Sequence, residues 1–303
     1  MRLDLNNETS ILHSVILGTA QFNGETPSVE EAYDPKSIAH IKAGTYPDEN
    51  DMIAELASFK QLLEKYDVNV YQPNLIKDCN QIFARDIGFV IEDKFVVSNI
   101  LPHREKEVEA LGPVLDQIDE HNIIRMPEDH HIEGGDVMLA GDYIFIGTYR
   151  GDDYSDFITA RTNQKAIEKI AEKFPSKKVK SFNLRKSNSN PYENALHLDC
   201  CFQPVGKDAA IIHRNGFLEE NEYQWLVSFY GKANIFEITK QEMYDMTSNI
   251  FSIAPDIVIS DYHFERLNTW LESRDICVEK VNYREIAKQE GLLRCSTLPL
   301  IRD

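Results

Sequence analysis

A repeat restricts the fold of this 303-residue chain more than any other feature. Four short apolar runs, each split by a turn bearing Gly, Asp or Pro, recur along it: GFVI-EDK-FVVSN from Gly88, DVMLA-GD-YIFIG from Asp136, CCFQPV-GKD-AAIIH from Cys200 and IFSIA-PD-IVIS from Ile250. Runs rich in Val, Ile and Phe around such turns read as β-hairpins. A polar residue leads into each, and the leading residues Asp86, Asp136, Asp199 and Asn249, followed by Cys295, are spaced by 50, 63, 50 and 46 residues. A period near 50 implies an array of similar units. An open array leaves apolar faces bare at its ends, whereas a strand at His13–Gly18 and the C-terminal segment can complete one another and close a ring. The expectation is one α/β domain spanning 1–303, a five-bladed pseudo-symmetric α/β propeller whose leading residues converge on one axis.

Apolar residues at helical spacing, as in Ile53, Leu56, Phe59, Leu62 and Leu63, predict helices over 50–66, 105–119, 162–173, 219–230 and 261–273. Ser181–Asn194 reads as a polar surface loop.

With 32 Lys+Arg against 50 Asp+Glu, the net charge is −18, which disfavours nucleic acid and anionic membrane surfaces as partners. No apolar run approaches the ~20 residues of a membrane span, and the N-terminus lacks a signal-peptide core. The five cysteines include no CxxC, as expected of reduced thiols in the cytoplasm. Cys200, Cys201 and Cys277 read as structural, Cys79 as an exposed loop thiol, and Trp225 and Trp270 as core residues.

Four segments carry chemistry: Phe83-Ala84-Arg85-Asp86, His131-Ile132-Glu133-Gly134-Gly135-Asp136, His197-Leu198-Asp199 and Leu293-Arg294-Cys295-Ser296-Thr297. Singly, each has an ordinary structural reading: a loop ion pair, a turn, a hydrogen-bonded histidine, a buried thiol. Together they set a thiol and a histidine among carboxylates at successive units of the repeat. Carboxylates repel oxyanions but accept parallel N–H bonds from a planar cation, so the set suits a guanidinium held before a sulfur nucleophile. The adjacent His130 and His131 would face opposite ways on a strand, and no convincing metal ligand set or cofactor motif is present.

The motifs FxRD, EGGD, HxD and RCS, in this order and followed by Pro299, resemble those of the guanidino-group-modifying superfamily of arginine deiminases, dimethylarginine dimethylaminohydrolases and amidinotransferases. The resemblance covers essentially the whole chain and implies a pentein-type five-bladed fold. It also implies Cys295 as nucleophile, His197 as general acid/base and Glu133 as the group orienting His197. Asp86 and Asp199 would hold the guanidinium, with Asp136 beside them, and Arg104 and Arg161 would bind the substrate carboxylate, which makes agmatine a poor substrate. The implied activity is hydrolysis at the guanidino carbon of arginine or a derivative through an S-amidino-cysteine, the alternative being amidino transfer to an amine. Asp199 favours an unmethylated guanidinium, whereas the compact length is shared with dimethylarginine hydrolases and arginine dihydrolases. A small cationic guanidino substrate and a homodimer are the partners expected.

Overall fold

The computed structural model describes residues 1–152, 154 and 156–303. Among these the repeat appears as five three-stranded sheets. In chain order the strands are β1 (Leu12–Leu17), β2 (Asn69–Tyr71), β3 (Gly88–Ile91), β4 (Lys94–Val97), β5 (Ile123–Arg125), β6 (Val137–Ala140), β7 (Tyr143–Thr148), β8 (Lys178–Asn183), β9 (Phe202–Val205), β10 (Ala209–Ile212), β11 (Ile235–Glu237), β12 (Phe251–Ala254), β13 (Ile257–Asp261), β14 (Cys277–Val281) and β15 (Thr297–Arg302). The sheets are β15-β1-β2, β3-β4-β5, β6-β7-β8, β9-β10-β11 and β12-β13-β14.

Every sheet has the same plan: an antiparallel pair, then a third strand parallel to the second. Four of the antiparallel pairs are the expected hairpins, and Gly141 (φ 59°) and Gly206 (φ 66°) supply the left-handed turn conformation that favours glycine. A parallel third strand needs a crossover of a dozen or more residues, and helical segments make each one. In the fifth pair the partners are the two ends of the chain, β1 and β15, with Leu17 opposite Thr297 and Leu12 opposite Arg302.

Helices lie at 49–65, 164–173, 220–230 and 265–272, close to four of the expected spans. The 49–65 helix turns Met52, Leu56, Phe59 and Leu63 inward, one face at helical spacing. The fifth expected helix, 105–119, is broken into 105–109 and 112–115, because Gly112-Pro113 cannot continue an incoming helix. A further helix at 35–43 begins with Asp34 accepting the Ser37 N–H and Pro35 in its first turn. The residues it buries, Pro35, Lys36 and Ser37, form no apolar stripe that would mark it in the sequence.

Several local expectations are corrected. The first part of Ser181–Asn194 belongs to β8. His130 and His131 lie in a loop, where His130 meets Asp129 and His131 stacks on Tyr154 with ring centres 4.5 Å apart. Cys79 is buried and Cys277 is exposed. No helix among the described residues is long and apolar enough to cross a membrane.

Candidate active site

The residues leading into the sheets meet one another. Arg85 donates its backbone N–H to the Cys295 carbonyl (3.0 Å), and Gly134 donates to the Asp86 carbonyl (3.3 Å). Leu198 N–H donates to Asp136 Oδ1 (3.0 Å), and Asn249 exchanges bonds with Cys295, donating from Nδ2 to sulfur at 3.1 Å and accepting the Cys295 N–H at Oδ1 at 3.1 Å. Close backbone approach is what the paired glycines allow. A Cβ on Gly134 would lie 2.1 Å from the Arg85 carbonyl oxygen, and one on Gly135 would lie 2.6 Å from His197 Nδ1.

A cavity of about 820 Å³ opens at this junction, and its lining includes Phe83, Asp86, His197 and Cys295. Cys295 Sγ lies 3.5 Å from Asp199 Oδ2. Burial, reinforced by the Asp199 and Asp86 carboxylates, pushes the Cys295 thiol well up and favours its protonated form. His197 Nε2 is 2.9 Å from Glu133 Oε2, and Nδ1 is 3.7 Å from Asp86 Oδ1. Against burial, which disfavours the imidazolium, Asp86 and Glu133 raise the His197 pKa above its ordinary value. Glu133 is fully buried; against that burial, Arg161 and Arg104 hold its carboxyl well below the usual range.

Asp86 divides its oxygens. Oδ2 accepts Arg104 Nη1 at 2.9 Å, whereas the buried Oδ1 has no hydrogen-bond partner. Burial raises the Asp86 pKa. Asp199 is placed differently. Its Oδ2 accepts Arg294 Nη1 at 2.9 Å, and it is not among the residues walling the cavity. Arg294 in turn reaches Glu8 and the Val137 carbonyl. Asp136 also lies off the wall, accepting the Thr162 hydroxyl (2.7 Å) as well as Leu198 N–H. There it holds the loop that carries His197.

Arg104 and Arg161 both wall the cavity, and both are engaged. Arg104 donates to Glu107, Asp86 and Glu133. Arg161 donates to Glu133 and to the Ile158 and Tyr33 carbonyls. Asp86, Glu133 and His197 offer ligand atoms within 4.8 Å of one another, a spacing that would admit a metal ion. Both Glu133 oxygens are already taken by arginines, however, which leaves one carboxylate oxygen and an imidazole for any such ion.

Two residues at this junction were assigned no role from the sequence, Asn249 and Arg294. Asn249 stands in the repeat at the place where other units carry Asp, a positional signal that would have found it. Arg294 precedes the thiol directly, but nothing local shows that it faces Asp199 and Glu8.

Comparison with known proteins identifies relatives over most of the chain. The profile of the family described as "N,N dimethylarginine dimethylhydrolase, eukaryotic" matches residues 35–302. Relatives include the uncharacterized protein YkgA of Bacillus subtilis (strain 168), 29% identical over 73% of this chain and 70% of its own length. The arginine deiminase of Limosilactobacillus reuteri (strain DSM 20016) is 25% identical over 88% of this chain and 70% of its own. Among solved structures, the N-terminal domain of ArgZ, a cyanobacterial arginine dihydrolase, superposes with a TM-score of 0.78 at 16% identity, covering 95% of this chain and 97% of that one. A variant of that domain covalently bound to a reaction intermediate matches with a TM-score of 0.78 at 16% identity, covering 95% and 98%. SxtG, an amidinotransferase from Microseira wollei, has a TM-score of 0.77 at 16% identity, covering 99% and 97%. The chain therefore belongs to the N,N-dimethylarginine dimethylhydrolase family, within the guanidino-group-modifying superfamily that its motifs resemble.

Proposed function

We propose that the protein is a cysteine-dependent hydrolase acting on the guanidino carbon of arginine or an arginine derivative through an S-amidino-cysteine. The observation that carries this reading is the convergence of Cys295, His197 and Asp86 on one cavity wall, with Asp86 Oδ1 3.7 Å from His197 Nδ1. A guanidinium N–H donating to Oδ1 completes the carboxylate and brings positive charge to a thiol that is otherwise protonated. Cys295 then loses its proton to water, and sulfur adds to the guanidinium carbon. His197, whose raised pKa favours the imidazolium, protonates the nitrogen as its C–N bond breaks. The neutral imidazole next takes a proton from water, whose oxygen adds to the amidino carbon, and the C–S bond breaks to release the ureido product and the thiolate. Glu133 fixes the imidazole, and Asp199, paired with Arg294, lies beside the sulfur. The covalently trapped intermediate of the fold neighbour supports a covalent route. In the same reading the five sheets are blades of one closed ring, a single catalytic domain of the cytoplasm.

Incubation with L-arginine, methylated arginines, agmatine and citrulline, with assay of ammonia, methylamines and ureido products, tests the proposal. Hydrolysis of at least one compound is expected, with its loss in Cys295→Ser. A folded protein inert on the panel would overturn it, and a new guanidine formed only with an amine acceptor would replace hydrolysis by transfer.

A further inference from the structure

His197 has to keep both ring nitrogens aimed, Nε2 at Glu133 and Nδ1 at Asp86. The ring has little margin, since a Cβ on Gly135 would lie 2.6 Å from Nδ1. An imidazole follows the backbone that carries it, and here that backbone is buried from Asn194 to Cys201. On the C-terminal side of the histidine, Asp136 accepts the Leu198 N–H at 3.0 Å. On the N-terminal side the corresponding group is a buried lysine, Lys186, which takes no part in the chemistry proposed for Cys295 and His197.

Lys186 follows β8 and is 7% exposed. Its Nζ donates to the Ala195 carbonyl at 2.9 Å and to the Leu196 carbonyl at 2.8 Å, which belong to the two peptide groups leading into His197. The two stretches also lie alongside each other, with Ala195 N–H donating to the Arg185 carbonyl at 2.8 Å and Ser187 N–H to Asn194 Oδ1 at 3.0 Å. Leu196 lines the cavity together with His197, so this part of the backbone borders the space a substrate would fill. Water or a neutral amide could satisfy two buried carbonyls, whereas an ammonium is costly to take out of water. Burial accordingly lowers the Lys186 pKa, and Asp136 is the main charge opposing that fall. A cation on the carbonyls and a carboxylate on the N–H thus grip one short segment from its two sides.

Resting on the guanidino reading in which His197 moves protons, we propose that Lys186 is a positioning residue: its ammonium fixes the Ala195 and Leu196 carbonyls, as Asp136 fixes the Leu198 N–H, so that the imidazole is held between Glu133 and Asp86. Charge-assisted bonds on both flanks confine the ring more tightly than neutral ones would. Such confinement matters because a misplacement of about 1 Å at a reacting group can cost on the order of a hundredfold in rate. Lys186 is not among the residues lining the cavity, so its effect reaches the chemistry through His197.

Lys186→Met keeps the apolar stem, removes the ammonium and gives two readouts. With the compound of the panel that is turned over fastest, kcat is expected to fall about a hundredfold while KM changes by less than about threefold. In a ring-carbon NMR titration of the histidines, the His197 pKa should be at least about 0.5 lower than in the unmodified protein, nearer the ordinary histidine value, as the ring loses its fixed approach to Glu133 and Asp86. The sign separates positioning from charge, because removal of a nearby cation by itself raises a histidine pKa. A kcat within about threefold of the unmodified protein, or a His197 pKa that stays or rises, would overturn the positioning role. Lys186→Gln, which keeps N–H donors on a shorter side chain, should recover part of both losses, and it supplies the same two readouts if Lys186→Met does not fold. Failure of the unmodified protein to turn over any compound would remove the guanidino reading, and the titration would still decide whether Lys186 positions His197.

Discussion

A thiol beside two carboxylates is a weak nucleophile until positive charge arrives, and Cys295 is such a thiol. The charge of an incoming electrophile should therefore govern its reactivity. A cationic haloacetamidine is expected to alkylate Cys295 at least a hundredfold faster than the neutral haloacetamide of the same shape at neutral pH, as followed by intact mass; equal rates would show that the surrounding acids exert no such control. Asn249 belongs to the same environment, because its amide donates to the sulfur and accepts the Cys295 N–H. Asn249→Ala is expected to lower kcat about a hundredfold to a thousandfold, the range for removing one positioned donor, with a change in Tm of only a few degrees. A collapse of Tm with kcat unchanged would make Asn249 purely structural. At this scale the motifs marked which residues gather, since Cys295, His197, Glu133 and Asp86 all meet at one junction. They did not reveal how the carboxylates pair. Asp199 was expected to meet the substrate, but its partner Arg294 is a guanidinium of the chain itself, a pairing set by tertiary approach.

Elements transmit that arrangement through close contacts. The β6-β7-β8 sheet is held against the 220–230 helix by an aromatic cluster in which Phe145, fully buried, meets Phe182, Phe202, Trp225 and Phe229 at ring-centre distances of 5.5–6.0 Å. Phe145→Ala should lower stability by about 3–5 kcal/mol, read as a shift of the denaturant midpoint, with kcat retained at temperatures where the variant stays folded. A loss under 1 kcal/mol would mean that the cluster repacks freely. The hairpins were legible because each is closed by its own few turn residues. The third strands β2, β5 and β11, three residues each, were not. So short a strand has no periodicity of its own, and it forms because a helix returns the chain alongside the second strand.

The whole molecule is tied together through its two ends. β15 pairs with β1, while Arg294, just ahead of β15, reaches Glu8 near the N-terminus, Asp199 ahead of β9 and the Val137 carbonyl in β6. The pairing of the two ends thus carries a charged lock, and neither end announced it in isolation. Against the cost of its burial, Arg294 and Arg85 hold the Glu8 carboxyl down at about 2, below its ordinary 4.5. An acid whose folded pKa is depressed contributes stability that is present above the unfolded value and lost as pH falls through the folded one. The contribution should therefore be complete at neutral pH and disappear between about 4.5 and 2. Glu8→Gln keeps the shape but not the charge, and it is expected to destabilise the protein by a few kcal/mol at pH 7. Denaturant midpoints measured side by side at pH 7, 4.5 and 3 should show this gap narrowing across the acid window as wild type loses the same interaction. A gap that stays constant from pH 7 to 3 would mean that the lock works by packing and not by charge.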